Sequence, residues 1–168
     1  MSSQAKEELE KWYAKEDPWG YKTTEDDEKR KHKLLDYVHQ GLSLVGGTHF
    51  DRALDIGCGE GFITKDLPAK TIHGIELSDA AAERLPSNVK RVAEPEGKYD
   101  LVVCTGMLYE HYDYKQFVKW IKNHAVGLVL ICNIKEWEVG GLNFGKLWTL
   151  EEFPYREFTQ RLRMFRCQ

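Results

Sequence analysis

The stretch that decides the fold is Arg52-Ala53-Leu54-Asp55-Ile56-Gly57-Cys58-Gly59-Glu60-Gly61-Phe62-Ile63. The apolar run before the glycines predicts a buried strand, and Phe62, Ile63 and Leu67 have the spacing of a helix that follows the turn. Glycines at alternate positions allow a sharp turn and allow a ligand to lie directly against the main chain. The stretch thus predicts a strand, a tight turn and a helix, and the turn either binds a ligand or is purely structural.

An acidic residue stands at the end of the next predicted strand, which covers residues 72–77. This residue, Glu76, follows Gly57 by nineteen positions. A carboxylate at the tip of the second strand can accept charge-assisted hydrogen bonds from both hydroxyl groups of an adenosine ribose. The alternative is an ordinary strand-end acid that faces water. The dinucleotide fingerprint needs a third glycine where Phe62 stands, which disfavours a nicotinamide-dependent oxidoreductase.

The glycine stretch and Glu76 together resemble the first two motifs of class I S-adenosylmethionine-dependent methyltransferases. The resemblance covers roughly residues 17–132 and implies S-adenosyl-L-methionine as the methyl donor. The segment Asp17-Pro18-Trp19-Gly20 is similar to the opening of the nodulation-protein-S-like methyltransferases, in which this segment folds over the cofactor. The narrower resemblance implies methyl transfer to nitrogen or oxygen of a small-molecule acceptor, such as a sugar.

Composition is that of an ordinary globular protein of one domain. The chain has 168 residues, 42% of them hydrophobic, and its 24 basic and 27 acidic residues give a net charge of −3. This charge balance offers no general attraction for nucleic acid. No N-terminal segment resembles a signal peptide, and the longest apolar run, residues 125–132, is too short to span a bilayer. We expect a cytoplasmic protein without a membrane partner, and the oligomeric state stays open.

The cysteines are expected to be structural. They are widely spaced and form no Cys-x-x-Cys pair: Cys58, Cys104, Cys132 and Cys167. The first three lie at or near the ends of predicted strands, where a free cysteine behaves as a small apolar group. The sequence therefore predicts neither a metal site nor a redox centre.

The middle of the chain alternates strands with helices. The predicted helices cover residues 25–44, 79–85 and 114–123, and the predicted strands cover residues 53–56, 72–77, 89–92, 101–104 and 126–132. The charge run at residues 25–31 is interpreted as a solvated helix face. Residues 93–97 are too few for a crossover helix between the third and fourth strands. The fourth and fifth strands are apolar throughout, which is typical of parallel sheets covered on both faces.

The last part of the chain, residues 133–168, is the hardest to assign. Thr149-Leu150-Glu151-Glu152 has the form of a helix capping box, and residues 158–165 have the mixed composition of an edge strand. The arginines of this region either bind an anionic substrate or keep an exposed edge from aggregating, and we favour the second interpretation. They are Arg156, Arg161, Arg163 and Arg166.

The order of elements predicts an α/β fold. We expect a three-layer sandwich with a doubly wound, mostly parallel, Rossmann-like sheet and an antiparallel edge at the C-terminus. Residues 1–168 are expected to form a single methyltransferase domain, with residues 25–168 as its core. Residues 1–24 carry dense aromatics outside any core pattern, and they form either a lid over a ligand or a permanently packed arm.

The resemblance also implies a set of site residues. The predicted cofactor-binding residues are Asp55, Gly57, Cys58, Gly59, Gly61, Glu76, Leu77, Glu94, Thr105, Trp19 and Tyr21. Glu94 falls where the family often has an acid near the adenine amino group, and a surface loop acid is the alternative. Residues 105–111 leave the carboxyl end of the fourth strand, where open α/β sheets bind ligands. They resemble the family's fourth motif, which borders the transferred methyl group.

Two residues of this fourth motif are the predicted catalytic residues. His111 is the candidate general base, because imidazole is half neutral near neutral pH, and Tyr109 is placed to orient the acceptor. A structural role for His111 is the alternative. A nucleic-acid methyltransferase typically has an Asn-Pro-Pro-Tyr or Asp-Pro-Pro-Tyr tetrad here, and residues 105–108 differ from it. A non-catalytic S-adenosylmethionine-binding subunit or sensor also stays open.

The interpretation of His111 gives a first prediction. If the acceptor atom is a hydroxyl oxygen, His111→Ala should lower the single-turnover rate by a factor of ~10²–10⁴ and leave cofactor affinity nearly unchanged. If the acceptor is an amine, the effect should be much smaller, because an uncharged amine needs no base. Transfer from labelled cofactor, measured across pH for wild type and mutant, tests this. A mutant as fast as wild type at every pH removes His111 from the chemistry.

Overall fold

The computed structural model describes residues 3–168, with side chains from residue 6 onward. The helices are α1 (Ser3–Trp12), α2 (Glu25–Leu44), α3 (Asp79–Glu83) and α4 (Tyr114–His124), with one 3-10 turn at Thr64–Asp66. The strands are β1 (Phe50–Ile56), β2 (Ala69–Ile75), β3 (Val89–Arg91), β4 (Tyr99–Thr105), β5 (Ala125–Ile134), β6 (Lys146–Tyr155) and β7 (Phe158–Arg166). Among the described residues, no helix is long and apolar enough to cross a membrane.

The strands form one seven-stranded sheet in the order β3-β2-β1-β4-β5-β7-β6. Strands β1 to β5 are parallel, and β7 pairs antiparallel with both β5 and β6. The chain moves outward from β1 through β2 to β3 and then returns to β4 on the other side of β1. Such a reversal opens a crevice at the carboxyl ends of β1 and β4. The mostly parallel sheet with antiparallel C-terminal strands is therefore confirmed.

Helices cover both faces of the sheet. On one face, Leu34 and Val38 of α2 pack in a buried cluster with Leu101 of β4. On the other face, Phe117 and Ile121 of α4 pack with the neighbouring strands. Because successive side chains of a strand point to opposite faces, strands buried on both sides need continuous apolar runs. The predicted three layers are thus present, with α2 and α4 as the outer ones.

Two predicted helices are wrong. The residues after the glycine turn form only the 3-10 turn Thr64–Asp66, because Leu67 takes the extended conformation that a following proline favours. Ile63 and Leu67 nevertheless point into the core. The apparent capping box at residues 149–152 lies within β6, where Glu151 pairs with Leu162 of β7. Pairing with a distant strand overrides the local helix signal there.

The predicted edge strand at residues 158–165 is also misplaced. Strand β7 lies inside the sheet between β5 and β6, and β6 forms the edge. Leu162 and Met164 of β7 are buried in the α2 cluster. Burial of Leu162 and Met164 favours an interior position for the strand, whereas Arg161 and Arg163 alternate with these residues and point to the other face.

The close approach of β4 and β5 gives a stability prediction. A Cβ atom on Gly127 would stand 2.2 Å from the carbonyl oxygen of Asp100, which is main chain and cannot move aside cheaply. Gly127→Ala should therefore destabilise the fold by about 1–3 kcal/mol. Gly140→Ala is the matched control, because nothing lies within 4 Å of its Cβ position. Urea unfolding that gives equal free energies for the two variants would contradict the packing described here.

Candidate functional site

The glycine turn lies at the carboxyl end of β1. Gly57, Gly59 and Gly61 have φ angles of 77°, 56° and 82°, a region that favours glycine. The main-chain N–H groups of Gly57 and Cys58 both donate to the carbonyl oxygen of Ile75, at 2.9 and 3.1 Å. The turn is thereby fastened to the end of β2, and the sequence pattern of alternate glycines is explained by the left-handed backbone.

Glu76 is the next element of the site. Its Oε2 accepts a hydrogen bond from the N–H of Gly59 at 3.0 Å, and its Oε1 accepts one from the N–H of Ser78 at 2.8 Å. The side chain is buried, which raises the pKa of Glu76, while the main-chain donors oppose that shift. The carboxylate is therefore held in one orientation beside the glycine turn.

Two of the chain's own side chains pack directly on the glycines. A Cβ atom on Gly59 would stand 2.9 Å from the hydroxyl oxygen of Tyr13, and one on Gly57 would stand 2.5 Å from the sulfur of Met107. Tyr13 is only 5% exposed. Burial raises the pKa of Tyr13, and the nearby Glu76 carboxylate adds to the effect. The space beside these two glycines is therefore occupied by side chains of the same protein, Tyr13 and Met107.

The segment that carries Tyr13 is packed over the glycine turn. The indole N–H of Trp19 donates to the Tyr13 hydroxyl at 3.0 Å. The rings of Trp19, Tyr21 and Phe62 form a stacked series, with centroid separations of 6.4 and 5.6 Å. Arg84 donates to the carbonyl oxygen of Tyr13 at 2.6 Å. Trp19 and Tyr21 thus lie beside the predicted site, and Tyr13, which sequence reasoning did not assign, lies deepest.

Asp55 occupies the end of β1 beneath the turn. Its Oδ2 accepts a hydrogen bond from the Thr64 hydroxyl at 2.6 Å, whereas its buried Oδ1 has no partner among the described residues. Burial raises the pKa of Asp55 to about 7, against the opposing effects of the Thr64 hydrogen bond and the Arg30 charge. A carboxyl group in this state can gain a hydrogen bond or an ion pair from a ligand.

Arg30 of α2 is a buried cation near Asp55. Its guanidinium lies 5.3 Å from the ring centroid of Tyr21 and 5.4 Å from that of Tyr155. Its Nε has no hydrogen-bond partner among the described residues, and its contact with Asp27 is loose, at 3.6 Å. The expectation that residues 25–31 form a solvated face is therefore wrong at these positions. Arg30 precedes Leu34 by four residues, so it lies on the apolar face of α2. This spacing could have indicated from the sequence that Arg30 is buried.

A C-terminal arginine closes this region. Arg156, in the turn between β6 and β7, donates to Asp27 at 2.8 Å and to the carbonyl oxygen of Trp19 at 2.9 Å. The Tyr155 hydroxyl donates to the other oxygen of Asp27 at 2.7 Å. The buried Asp27 carboxylate thus joins α2 to the β6–β7 hairpin, and Arg156 ties the segment around Trp19 to both.

The other predicted cofactor residues are spread around this centre. Cys58 directs its sulfur toward Gly74 of β2, so its side chain packs within the protein. Leu77 and Thr105 are half-buried, and Glu94 is exposed in the loop between β3 and β4. The structure therefore brings together Asp55, the glycine turn, Glu76, Trp19 and Tyr21, and it leaves Glu94 at the surface.

The predicted catalytic residues follow β4 at the same edge. Tyr109 is 5% exposed, and its hydroxyl oxygen accepts a hydrogen bond from the N–H of Ile134 at 2.8 Å. His111 is exposed, and its ring centroid lies 5.6 Å from that of Tyr109 and 4.3 Å from that of Tyr112. Tyr109 is thus anchored to β5, whereas His111 is an exposed ring that packs on Tyr109 and Tyr112. Their catalytic roles stay predictions.

Comparison with protein families decides the relationship of this chain. Residues 24–164 match a family model described as a methyltransferase domain. The chain belongs to this methyltransferase family. The match extends over the glycine turn and ends within β7, so it covers all but the last two residues of the sheet, and it confirms the family predicted from the glycine stretch and Glu76.

Individual relatives agree with this assignment. Among curated proteins, the methyltransferase domain is 30% identical over 125 residues to ubiquinone biosynthesis O-methyltransferase of Xanthomonas oryzae pv. oryzae, covering 62% of this chain and 49% of the relative. It is 26% identical over 106 residues to Nodulation protein S of Azorhizobium caulinodans, covering 55% of this chain and 48% of the relative. The chain spans about half the length of the curated relatives it matches.

Solved structures show the same fold. N-methyltransferase NodS from Bradyrhizobium japonicum WM9, in complex with S-adenosyl-L-homocysteine, has a TM-score of 0.76 at 21% identity over 96% of this chain and 97% of that chain. Magnesium protoporphyrin IX methyltransferase from Synechocystis PCC 6803, with bound S-adenosylmethionine, has a TM-score of 0.63 at 14% identity over 83% of this chain and 80% of that chain. These likenesses establish the architecture of the methyltransferase domain.

The raised pKa of Asp55 gives a stability prediction. A group whose pKa is higher in the folded state stabilises the fold at low pH, and this contribution is lost as the pH rises through the folded value of about 7. Asp55→Asn removes this titration. We therefore expect the mutant to gain about 1–3 kcal/mol relative to wild type between pH 5 and pH 8, because wild-type stability falls by about 1.4 kcal/mol for each pH unit up to the folded pKa of about 7.

The matched control for this prediction is Asp51→Asn. Asp51 lies on the same strand but is exposed, and its ion pair with Lys70 lowers the pKa of that carboxyl. Removing it should give no gain in stability at high pH. Urea unfolding at several pH values measures both variants. A stability difference between wild type and Asp55→Asn that does not change with pH would show that Asp55 stays ionised.

Proposed function

We propose that this methyltransferase domain binds S-adenosylmethionine at the carboxyl end of β1 and transfers its methyl group to nitrogen or oxygen of a small molecule. One observation carries the proposal. Beside the glycine turn, a buried carboxylate oxygen of Asp55 and a buried guanidinium nitrogen of Arg30 both lack hydrogen-bond partners among the described residues. The positive charge of Arg30 lowers the pKa of Asp55, but the two side chains do not form an ion pair with each other.

A buried acid and a buried base that each have one atom without a partner suit a zwitterion. The amino-acid end of S-adenosylmethionine carries an ammonium group and a carboxylate, which would pair with Asp55 and Arg30 respectively. Leaving a buried polar group unsatisfied costs about 1–3 kcal/mol, so a ligand that satisfies both groups recovers that free energy. Arg is well suited to this task, because its planar fork matches a carboxylate.

Glu76 and the glycine turn would hold the nucleoside end of the cofactor. Each oxygen of the Glu76 carboxylate accepts one main-chain hydrogen bond. A carboxylate has about four acceptor positions, so two stay available for the ribose hydroxyl groups. The backbone at Gly59 has no side chain to block a ligand. The arrangement therefore supports the sequence-based assignment of Glu76, Gly57 and Gly59 as cofactor-binding residues.

We propose that residues 1–24 act as a lid on the core formed by residues 25–168 of one domain; residues 1 and 2 of this segment lie outside the described part of the chain. Tyr13 lies against Gly59 at the point where the ribose must approach the main chain. The side chain must therefore move when a ligand enters. Once the ligand is bound, the aromatic rings of Trp19 and Tyr21 would cover it and exclude water.

The remaining chemistry needs little from the protein. When bound, S-adenosylmethionine supplies a methyl group on a sulfonium, an excellent leaving group. The protein then has to align the acceptor in a dry site. His111 is exposed after β4, at the carboxyl edge of the sheet, and we propose that it takes the proton of a hydroxyl acceptor. The Tyr109 oxygen accepts a hydrogen bond from the Ile134 N–H, which leaves the hydroxyl proton available to orient an acceptor atom, as proposed for this residue.

We also propose a small-molecule acceptor and a cytoplasmic location. Arg161 and Arg163 of β7 are paired with Glu138, and Arg161 also contacts Glu152, so they offer no free basic surface for nucleic acid. All four cysteines are free thiols within the described chain. Free thiols are typical of a reducing compartment, which supports the cytoplasm.

Calorimetric titration with S-adenosyl-L-homocysteine tests the proposed cofactor site. Glu76→Ala should weaken binding about ten- to a hundredfold, because it removes charge-assisted bonds worth about 1.5–3 kcal/mol. Glu83→Ala is the matched control, since Glu83 is an exposed acid in the neighbouring helix α3. If wild-type protein shows no binding of S-adenosyl-L-homocysteine but binds a nicotinamide dinucleotide tightly, the proposal is wrong. Turnover with an acceptor panel distinguishes an enzyme from a non-catalytic binding subunit.

A further inference from the structure

Five aromatic side chains form a connected cluster at the mouth of the site, and we call it the aromatic platform. Its members are Tyr109, His111, Tyr112, Trp137 and Phe158. The Trp137 ring lies 5.9 Å from Tyr109 in an edge-to-face arrangement and 4.7 Å from Phe158. On the other side, the His111 ring stacks on Tyr109 with an interplanar angle of 20° and contacts Tyr112.

The base of the aromatic platform is rigid while its top is accessible. Tyr109 is buried and hydrogen-bonded to the main chain of Ile134, and a bridge joins Tyr109 to Glu138. The N–H of Val139 donates to the carbonyl oxygen of Leu108 at 3.0 Å, which fixes the two loops to each other. Trp137 is 46% exposed despite these contacts. A large aromatic ring held in place at the surface is a ready contact for a ligand.

The aromatic platform adjoins the proposed cofactor site. Four of its members lie in the segments that follow β4 and β5, the two neighbouring strands whose carboxyl ends lie at the same edge of the sheet, and Phe158 is the first residue of β7. Tyr112 is near enough to Tyr21 and Glu76 for their charges to act on it: burial raises the pKa of Tyr112, and these two residues add to the effect. An acceptor that lies on the platform would therefore have its reactive atom close to the cofactor end of the cleft.

We infer that the aromatic platform is the acceptor subsite and that it selects acceptors with a ring that presents an apolar face. This inference rests on the proposed methyl transfer. Aromatic side chains gain most from flat partners, because offset stacking needs an extended face. Pyranose rings and planar aromatic rings share this feature, whereas acyclic amines and alcohols do not have it. His111, as the outer member of the platform, would then lie beside the ring substituent that receives the methyl group.

The test compares three matched acceptor sets with the full chain: amino- and hydroxy-pyranosides, aromatic amines and phenols, and acyclic amino alcohols of similar size. Methyl transfer from labelled S-adenosylmethionine gives kcat and KM for each set. We expect at least one ring set to be methylated with a KM about tenfold below that of the acyclic set. Acyclic acceptors used equally well, or ring acceptors left unmethylated by protein that binds the cofactor, would overturn the inference.

Trp137→Ala should raise the KM for ring acceptors about three- to tenfold, the range expected for losing one stacking contact. It should leave the KM for acyclic acceptors and the affinity for S-adenosyl-L-homocysteine unchanged. Trp137→Tyr keeps a ring and should stay near wild type. Leu147→Ala is the matched control, because Leu147 is also 46% exposed but lies on the edge strand β6.

These outcomes separate the inference from the proposed function. If wild-type protein fails to bind S-adenosyl-L-homocysteine, the proposed function is wrong, and the acceptor subsite is lost with it. If the cofactor binds and Trp137→Ala leaves the KM for every ring acceptor unchanged, the acceptor subsite alone is wrong. Unchanged cofactor affinity in Trp137→Ala shows at the same time that the variant is folded.

Discussion

One carboxylate that accepts two main-chain hydrogen bonds organises the site. Glu76 binds the N–H of Gly59 in the turn after β1 and the N–H of Ser78 in the cap of α3. Charge-assisted bonds in a buried setting are short and strong, so the turn and the start of α3 keep a fixed relation to β2. The packing of Tyr13 on Gly59 depends on that relation, because Gly59 belongs to the turn that Glu76 holds. The chain's own hydrogen bonds therefore fix the position of the glycine turn relative to β2 and α3.

The same edge contains groups that weaken the fold. Asp55 and Arg30 are buried with unpartnered atoms, although each costs free energy to bury. The strands beneath them offset this cost, because residues such as Leu101, Leu128 and Ile131 are completely buried. Natural proteins accept such local destabilisation where binding needs it. The stabilising contacts thus lie in the core of the sheet, and the destabilising buried groups lie at its carboxyl edge.

The sequence patterns were reliable where structure depends on near neighbours. Helices α2 and α4 and strands β1 to β5 follow from apolar spacing and turn residues, because period and burial are local properties. At residues 149–152 the patterns failed because a distant partner decides the structure: these residues form a strand because β7 lies beside them. After the glycine turn they failed for a local reason, the proline that follows Leu67. Tyr13 and Arg30 were not predicted from the sequence as site residues, because their neighbours in the site are distant in the sequence. Their roles exist only once the fold brings them to Gly59 and Asp55, and no local pattern specifies that meeting.

The contact between Arg156 and the carbonyl oxygen of Trp19 has a consequence for the order of folding. The two residues are 137 positions apart in the sequence. Contacts between residues so far apart in the sequence close long loops. They form slowly, because the chain loses conformational entropy before the contact stabilises it. The hydrogen bond from Arg156 to this segment can form only after β6 and β7 have paired and formed the turn that carries Arg156. We therefore expect it to be among the last contacts made during folding, later than the bonds that tie the same segment to Glu60 and Arg84.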